Sequence, residues 1–146
     1  MAIRTLRRAD ARKKIDKLGG DAYALAMITS VKFVSIPITD QDRALDFYTK
    51  KLGFTVFTDQ PMGPEMRWIE LKLGRTDTNV VLFTADEHKG WIGKPLNISF
   101  RCNDVMKTYE ELVSRGVEFE GKPEKHPWGW HAAFKDPDGN TFALSD

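Results

Sequence analysis

The pattern that most constrains this chain is one it uses twice. A run rich in β-branched residues, Val31 to Ile38, leads through Thr39-Asp40 into a helical stretch with Ala44, Phe47, Tyr48 and Leu52 on one face. Gly53 ends that stretch, and Phe54-Thr55-Val56-Phe57 follows as a second strand. The order then returns. Leu96 to Cys102 reads as a strand, Asn103-Asp104 opens a helix carrying Val105, Tyr109, Leu112 and Val113 on one face, Gly116 ends it, and Val117-Glu118-Phe119 follows. Acidic side chains suit a helix start, where they accept from unpaired backbone N–H groups, and glycine suits the left-handed residue just past a helix end. Two more strands follow in each copy, Met66 to Leu73 and Asn79 to Thr84, then Trp128 to Lys135 and Thr141 to Ser145. Gln60 to Pro64, Ala85 to Pro95 and Gly121 to Pro127 read as loops, and Asp136-Pro137-Asp138-Gly139-Asn140 as a turn. The unit is strand–helix–strand–strand–strand. Such a duplication places a ligand site where the copies face each other, so function turns on the side chains they present there.

Bulk properties exclude several classes. At 146 residues, with 41% apolar residues, the length fits one domain with a true core. Seven cations against three acids make the first 26 residues +4, which leaves −3 for the remainder of a chain whose net charge is +1. We read residues 1–27 as a basic, solvated extension, or as sequence upstream of a start at Met27, and residues 28–146 as one domain with modules at about 28–85 and 95–146. With Tyr23 as its single aromatic residue, the extension is a poor nucleic-acid arm. The single cysteine, Cys102, allows no internal disulfide and fits a reducing cytoplasm. No apolar run approaches the roughly 18 residues of a membrane span, and no secretory leader is expected.

Two segments carry a resemblance. Asp40, Ala44-Leu45-Asp46-Phe47-Tyr48 and Leu52-Gly53-Phe54 resemble the "D…A…FY…LGF" signature of the vicinal oxygen chelate superfamily, which includes glyoxalase I, bleomycin-resistance proteins and extradiol dioxygenases. Asp136 to Asn140 resembles its "DPDGN" turn. The likeness covers roughly residues 28–146 and implies an α+β fold of two βαβββ modules, each curling its sheet into half a cup. It further implies a homodimer with sites between paired modules. Superfamily members range from enzymes to pure binders, so the fold leaves function open.

The resemblance also implies four metal-ligand positions. They fall on Phe33, on Glu70 as the fourth-strand acid, on Asn97 and on Ala143. Phenylalanine and alanine offer no lone pair, and an amide is a poor ligand for a transition metal, which wants three or four N or O donors. His88, His126 and His131 have no partner at metal-ligand spacing. We therefore expect no metal and no cofactor.

Without those ligands the cup is largely apolar. Trp68 lies two residues before Glu70 and so on the same strand face; Trp128 and Trp130 are expected to share a face; Trp91 sits on a loop able to cover the mouth. Phe33, Ser35, Trp68, Trp91, Asn97, Arg101, Trp128, Trp130 and His131 are the candidate ligand-binding residues. Aromatic walls with a few polar groups suit an aromatic or cationic organic molecule. Glu70, desolvated among them, serves either as acid/base or as counter-charge, unless Arg67, Lys72 or Arg101 pairs with it.

Three readings follow. The first is a metal-free binding protein that sequesters a small organic molecule, as bleomycin-resistance proteins do. The second is an enzyme of the superfamily: a lyase, isomerase or dioxygenase using Glu70 or a displaced metal site. The third is a partner protein whose cup is filled by its own N-terminal extension. None involves nucleic acid or a membrane.

Overall fold

The computed structural model describes residues 27–84 and 86–146. The chain divides into two compact units, Met1–Val31 and Lys32–Asp146. In the first, the described residues 27–31 form no helix or strand, and the proposed role of residues 1–26 lies outside the described residues.

Both repeats appear in the second unit in the expected order. The first holds β1 (Phe33–Pro37), α1 (Gln41–Asp46) continuing as a π-helix (Phe47–Lys51), β2 (Thr55–Pro61), β3 (Arg67–Lys72) and β4 (Asn79–Phe83). A 3-10 helix, Asp86–Trp91, occupies the segment read as loop. The second repeat holds β5 (Pro95–Arg101), α2 (Val105–Ser114), β6 (Glu118–Phe119), β7 (Glu124–His126), β8 (Gly129–Lys135) and β9 (Thr141–Ser145). The short β7 replaces part of the expected Gly121–Pro127 loop because it pairs antiparallel with the start of β8. The sheets run β1-β4-β3-β2 and β5-β9-β8-β6, each with one parallel pair, β1 with β4 and β5 with β9. Among the described residues no helix is long and apolar enough to cross a membrane.

The helix ends follow the sequence signals closely. Asp40 accepts from Arg43 N and Asp104 from Lys107 N, each at 3.0 Å. Gly53 and Gly116, each following the C-cap residue and two past the end of its helix, have φ of +79° and +82°. The two helices nonetheless differ by one residue. Asp40 to Gly53 is 13 steps and Asp104 to Gly116 is 12. The extra residue is absorbed by the π-helix, where Leu52 N donates to Phe47 O, five residues back, at 3.2 Å.

One continuous core joins the repeats. Ile36, Ile69, Leu71, Val80 and Leu82 of the first sheet, Tyr48 and Phe47 of the helical segment, and Phe134, Phe142 and Leu144 of the second sheet belong to it. Tyr48 meets Phe142 edge-on at 6.4 Å, and Phe54 meets Phe100 at 5.6 Å. Since strand side chains alternate, each sheet turns its other face away from this core.

The DPDGN turn fastens the junction. Asp136 Oδ1 accepts from Asp138 N and Asn140 N, while Oδ2 accepts from Tyr48 Oη at 2.7 Å and Asn140 Nδ2 at 2.8 Å. Asn140 also donates to Pro37 O at 2.8 Å and accepts from Gly93 N at 2.9 Å. Asp138 accepts from Thr39 and pairs with Arg43 at 2.9 Å. Burial raises the Asp136 carboxyl above the usual carboxylate range, against the opposing effect of its hydrogen bonds. Burial, and then the Asp136 charge, raise Tyr48 well above the ordinary tyrosine value. The resemblance motif is thus a structural latch between the repeats.

Candidate functional site

The outward face of the first sheet carries the sharpest cluster. In register, Phe33 lies opposite Asn79, Ser35 opposite Val81, and Val81 opposite Glu70. Alternation along β3 puts Trp68 beside Glu70. The Trp68 and Phe33 rings meet nearly perpendicular, with centroids 5.4 Å apart and planes at 78°. They form two walls of an aromatic corner. Glu70 sits behind Trp68 and is 6% exposed. Its Oε2 accepts from Trp68 Nε1 at 3.2 Å and its Oε1 from Asn79 Nδ2 at 2.7 Å. Asn79 was not singled out from the sequence, although β4 alternation relative to Val81 gave it the right face.

The cations considered as partners for Glu70 do not serve. Arg67 pairs with Asp42 at 2.7 Å and Asp59 at 2.9 Å, drawn away by the opposite strand parity. Among the described residues no Lys, Arg or His forms an ion pair with Glu70. Lys72, on the same face, is exposed at the end of β3.

The outward face of the second sheet carries a groove of about 430 Å³, lined by Asn97, Ser99, Glu120, His131, Ala133 and Ala143 among others. β8 alternation puts His131 and Ala133 on this face, with Ala132 and Phe134 in the core. Ser99 and Ser145 hydroxyls lie 3.0 Å apart across β5 and β9. Asn97 has φ +55°, at a register shift between Pro95 and Ser99, so strict alternation fails there. Arg101 is exposed at the end of β5 and does not line the groove.

The tryptophans fall in different places. Trp128 and Trp130 do not share a face, because Gly129 between them has φ +135° and Trp128 precedes the strand. Trp130 packs against the core, with Lys125 Nζ 5.9 Å from its ring. Trp128 is 76% exposed and stacks on His126 at 4.5 Å, beside His131. Trp91, 62% exposed, reaches the end of β4 through His88, which meets Phe83 at 5.1 Å. A concavity of about 640 Å³ lies elsewhere, among Ile38, Met62, Met66, Lys89 and Ile92, and touches none of the predicted residues.

The metal positions implied by the resemblance need one correction. Glu70 belongs to the third strand, not the fourth; β4 places Val81 beside it. Phe33, Val81 and Ala143 have no donor atom, and both Glu70 oxygens already accept hydrogen bonds. Among the described residues no three His, Cys, Asp or Glu side chains converge to hold a metal ion. These residues do not fit the metal that the resemblance implies.

Comparison with known proteins agrees with this architecture. A solved structure of a superfamily member from Sphaerobacter thermophilus DSM 20745 superposes with a TM-score of 0.75 at 35% identity, covering 82% of this chain and 98% of that one. TnmS3, an antibiotic binding protein from Streptomyces sp. CB03234, superposes with a TM-score of 0.72 at 35% identity, over 82% and 97%. The uncharacterized protein YetH of Bacillus subtilis (strain 168) is 38% identical over 120 residues, 82% of this chain and all of YetH. Residues 30–144 match the family described as "Glyoxalase/Bleomycin resistance protein/Dioxygenase superfamily". With its paired βαβββ repeats, its latch and these relatives, the chain belongs to the glyoxalase/bleomycin resistance protein/dioxygenase superfamily.

Proposed function

We propose that this protein binds and sequesters a small aromatic or cationic organic molecule without a metal. The observation that carries the reading is the Phe33–Trp68 corner, backed by Glu70 and Asn79, on a sheet face directed away from the core. The similarity to TnmS3, an antibiotic binding protein, supports the same class of role. Because both outward faces are turned from the shared core, a second copy is proposed to set the first-sheet face of one chain opposite the second-sheet groove of the other. The ligand would lie between them, in a cytoplasmic homodimer. The enzyme reading has Glu70 as general base, each carboxylate oxygen holding one neutral donor and keeping a second lone pair for a proton.

The test is a binding screen of aromatic and cationic compounds, antibiotics included, followed by tryptophan quenching and calorimetry. The reading expects a saturable ligand recovered unaltered, weakened at least about tenfold by Trp68→Ala, the scale of a lost aromatic anchor. A parallel incubation with Ni, Zn, Mn, Co and Fe(II), followed by desalting, should leave far less than one metal per chain. Stoichiometric metal lost on Glu70→Ala, or turnover of the bound compound, overturns it. Scattering that gives a monomer at all concentrations removes the two-chain site.

A further inference from the structure

Resting on the binding reading above, the charge state of the aromatic corner narrows the ligand class. Glu70 is 6% exposed, and its only hydrogen-bond donors among the described residues are neutral: the Trp68 indole N–H at 3.2 Å and the Asn79 amide at 2.7 Å. A carboxylate buried in this way is ordinarily matched by a cation. Arg67, next to Trp68 in sequence, is committed to Asp42 and Asp59 on the other side of the strand, and Lys72 stands exposed without an ion pair to Glu70. The carboxylate therefore lies behind two aromatic rings with no counter-ion among the described residues.

The indole bond adds a second effect. An N–H that donates to a carboxylate leaves its ring more electron-rich, and the face of an electron-rich indole attracts cations. The same bond fixes the orientation of the Trp68 ring, and Phe33 meets it at 78° to make a corner rather than a flat platform. Glu70 is, in this arrangement, a positioning residue: it acts through Trp68 and need not touch the ligand.

We propose that the Phe33–Trp68 corner is a subsite for an organic cation, a quaternary or aromatic ammonium group, whose counter-charge is Glu70. The charge of Glu70, not its basicity, is what the site uses.

The experiment compares N-methylquinolinium with quinoline, which is close in size and neutral at pH 8, on the full-length protein. Affinities come from equilibrium dialysis, with tryptophan quenching as a second readout and near-ultraviolet circular dichroism to verify folding. Wild type should prefer the cation by about tenfold, the scale of a partly desolvated cation–π contact. Glu70→Gln keeps the shape and removes the charge, and should bring the two affinities close to parity. Gln41→Ala removes the hydrogen bonds that hold β3 at the Arg67 backbone, 2.6 and 3.0 Å, and leaves the corner untouched; it should retain the preference, which guards against a variant that merely loosens the sheet. If quinoline binds wild type as tightly as N-methylquinolinium, the cation subsite is overturned while the binding reading stands. A preference that survives in Glu70→Gln overturns the role of Glu70. If neither probe binds at millimolar concentration, the corner is no ligand site, and both the subsite and the aromatic-wall reading fall.

Discussion

Replacing Tyr48 by Phe tests the latch between the repeats most directly. The ring would keep its contacts with Phe47, Phe54 and Phe142, so packing is preserved. What goes is one hydrogen bond of 2.7 Å to a buried carboxylate. Bonds to charged groups contribute about 1.5–3 kcal/mol net. Asp136 Oδ2 keeps its bond from Asn140 Nδ2, which argues for the middle of that range, about 2 kcal/mol. For a unit spanning Lys32–Asp146, an unfolding entropy of about 2.1 cal/mol/K per residue makes 1 kcal/mol worth about 4 °C, so Tm should fall by about 8 °C. The pH dependence gives an independent readout. Tyr48 titrates well above its unfolded value of about 10, so the unfolded chain loses this proton first as pH rises. The stability it contributes is therefore complete below about pH 10 and declines as pH rises from there toward the folded value. In Tyr48→Phe that part of the alkaline decline should disappear. Thermal melts from pH 7 to pH 11.5 measure both effects. A variant within about 0.5 kcal/mol of wild type and with the same alkaline profile would refute the account of the latch.

Other consequences can be checked alongside. Asn140→Ala removes donors to Pro37 O and Asp136 and an acceptor for Gly93 N, all in a fully buried side chain, and should cost about 3–4 kcal/mol in urea unfolding, more than Tyr48→Phe. Arg43→Ala breaks a half-exposed ion pair with Asp138 and a hydrogen bond to the Thr39 hydroxyl, while Asp138 keeps Thr39 as a donor, and should cost about 1 kcal/mol. Asp40→Ala and Asp104→Ala each delete an N-cap and should each lower stability by about 1 kcal/mol, additively in the double variant because the sites have no common partner. Gly53→Ala meets open space but a φ of +79°, so its cost of about 1 kcal/mol should come from backbone strain and persist with any other L residue except, in part, Asn.

Local signals were legible wherever one residue does the work alone. Asp40 and Asp104 cap because a carboxylate reaches a nearby N–H, and Gly53 and Gly116 end helices because they lack a Cβ. Strand alternation put Trp68 and Glu70 on one face, and that held. It failed for Trp128 and Trp130, where Gly129 breaks the parity, and near Asn97, where a register shift does. The Asp136 to Asn140 turn could be read as a turn from its Pro and Gly, but its partners could not. Tyr48 and Pro37 are 88 and 103 residues away from the groups they bond, and nothing local announces such pairs.

By itself, then, the sequence determined the repeated strand–helix–strand–strand–strand order, the helix limits and the lack of ligand side chains at Phe33 and Ala143, since these follow from the chemistry of single residues and their near neighbours. Tertiary structure alone decided that Glu70 pairs with Trp68 and Asn79 rather than with a cation, and that Trp130 turns to the core while Trp128 does not. It also decided that the Asp136 to Asn140 turn ties Tyr48 and Pro37 of the first repeat to the second. Those outcomes depend on strand register and on which surfaces the shared core has already used, and neither is encoded in any short stretch of chain.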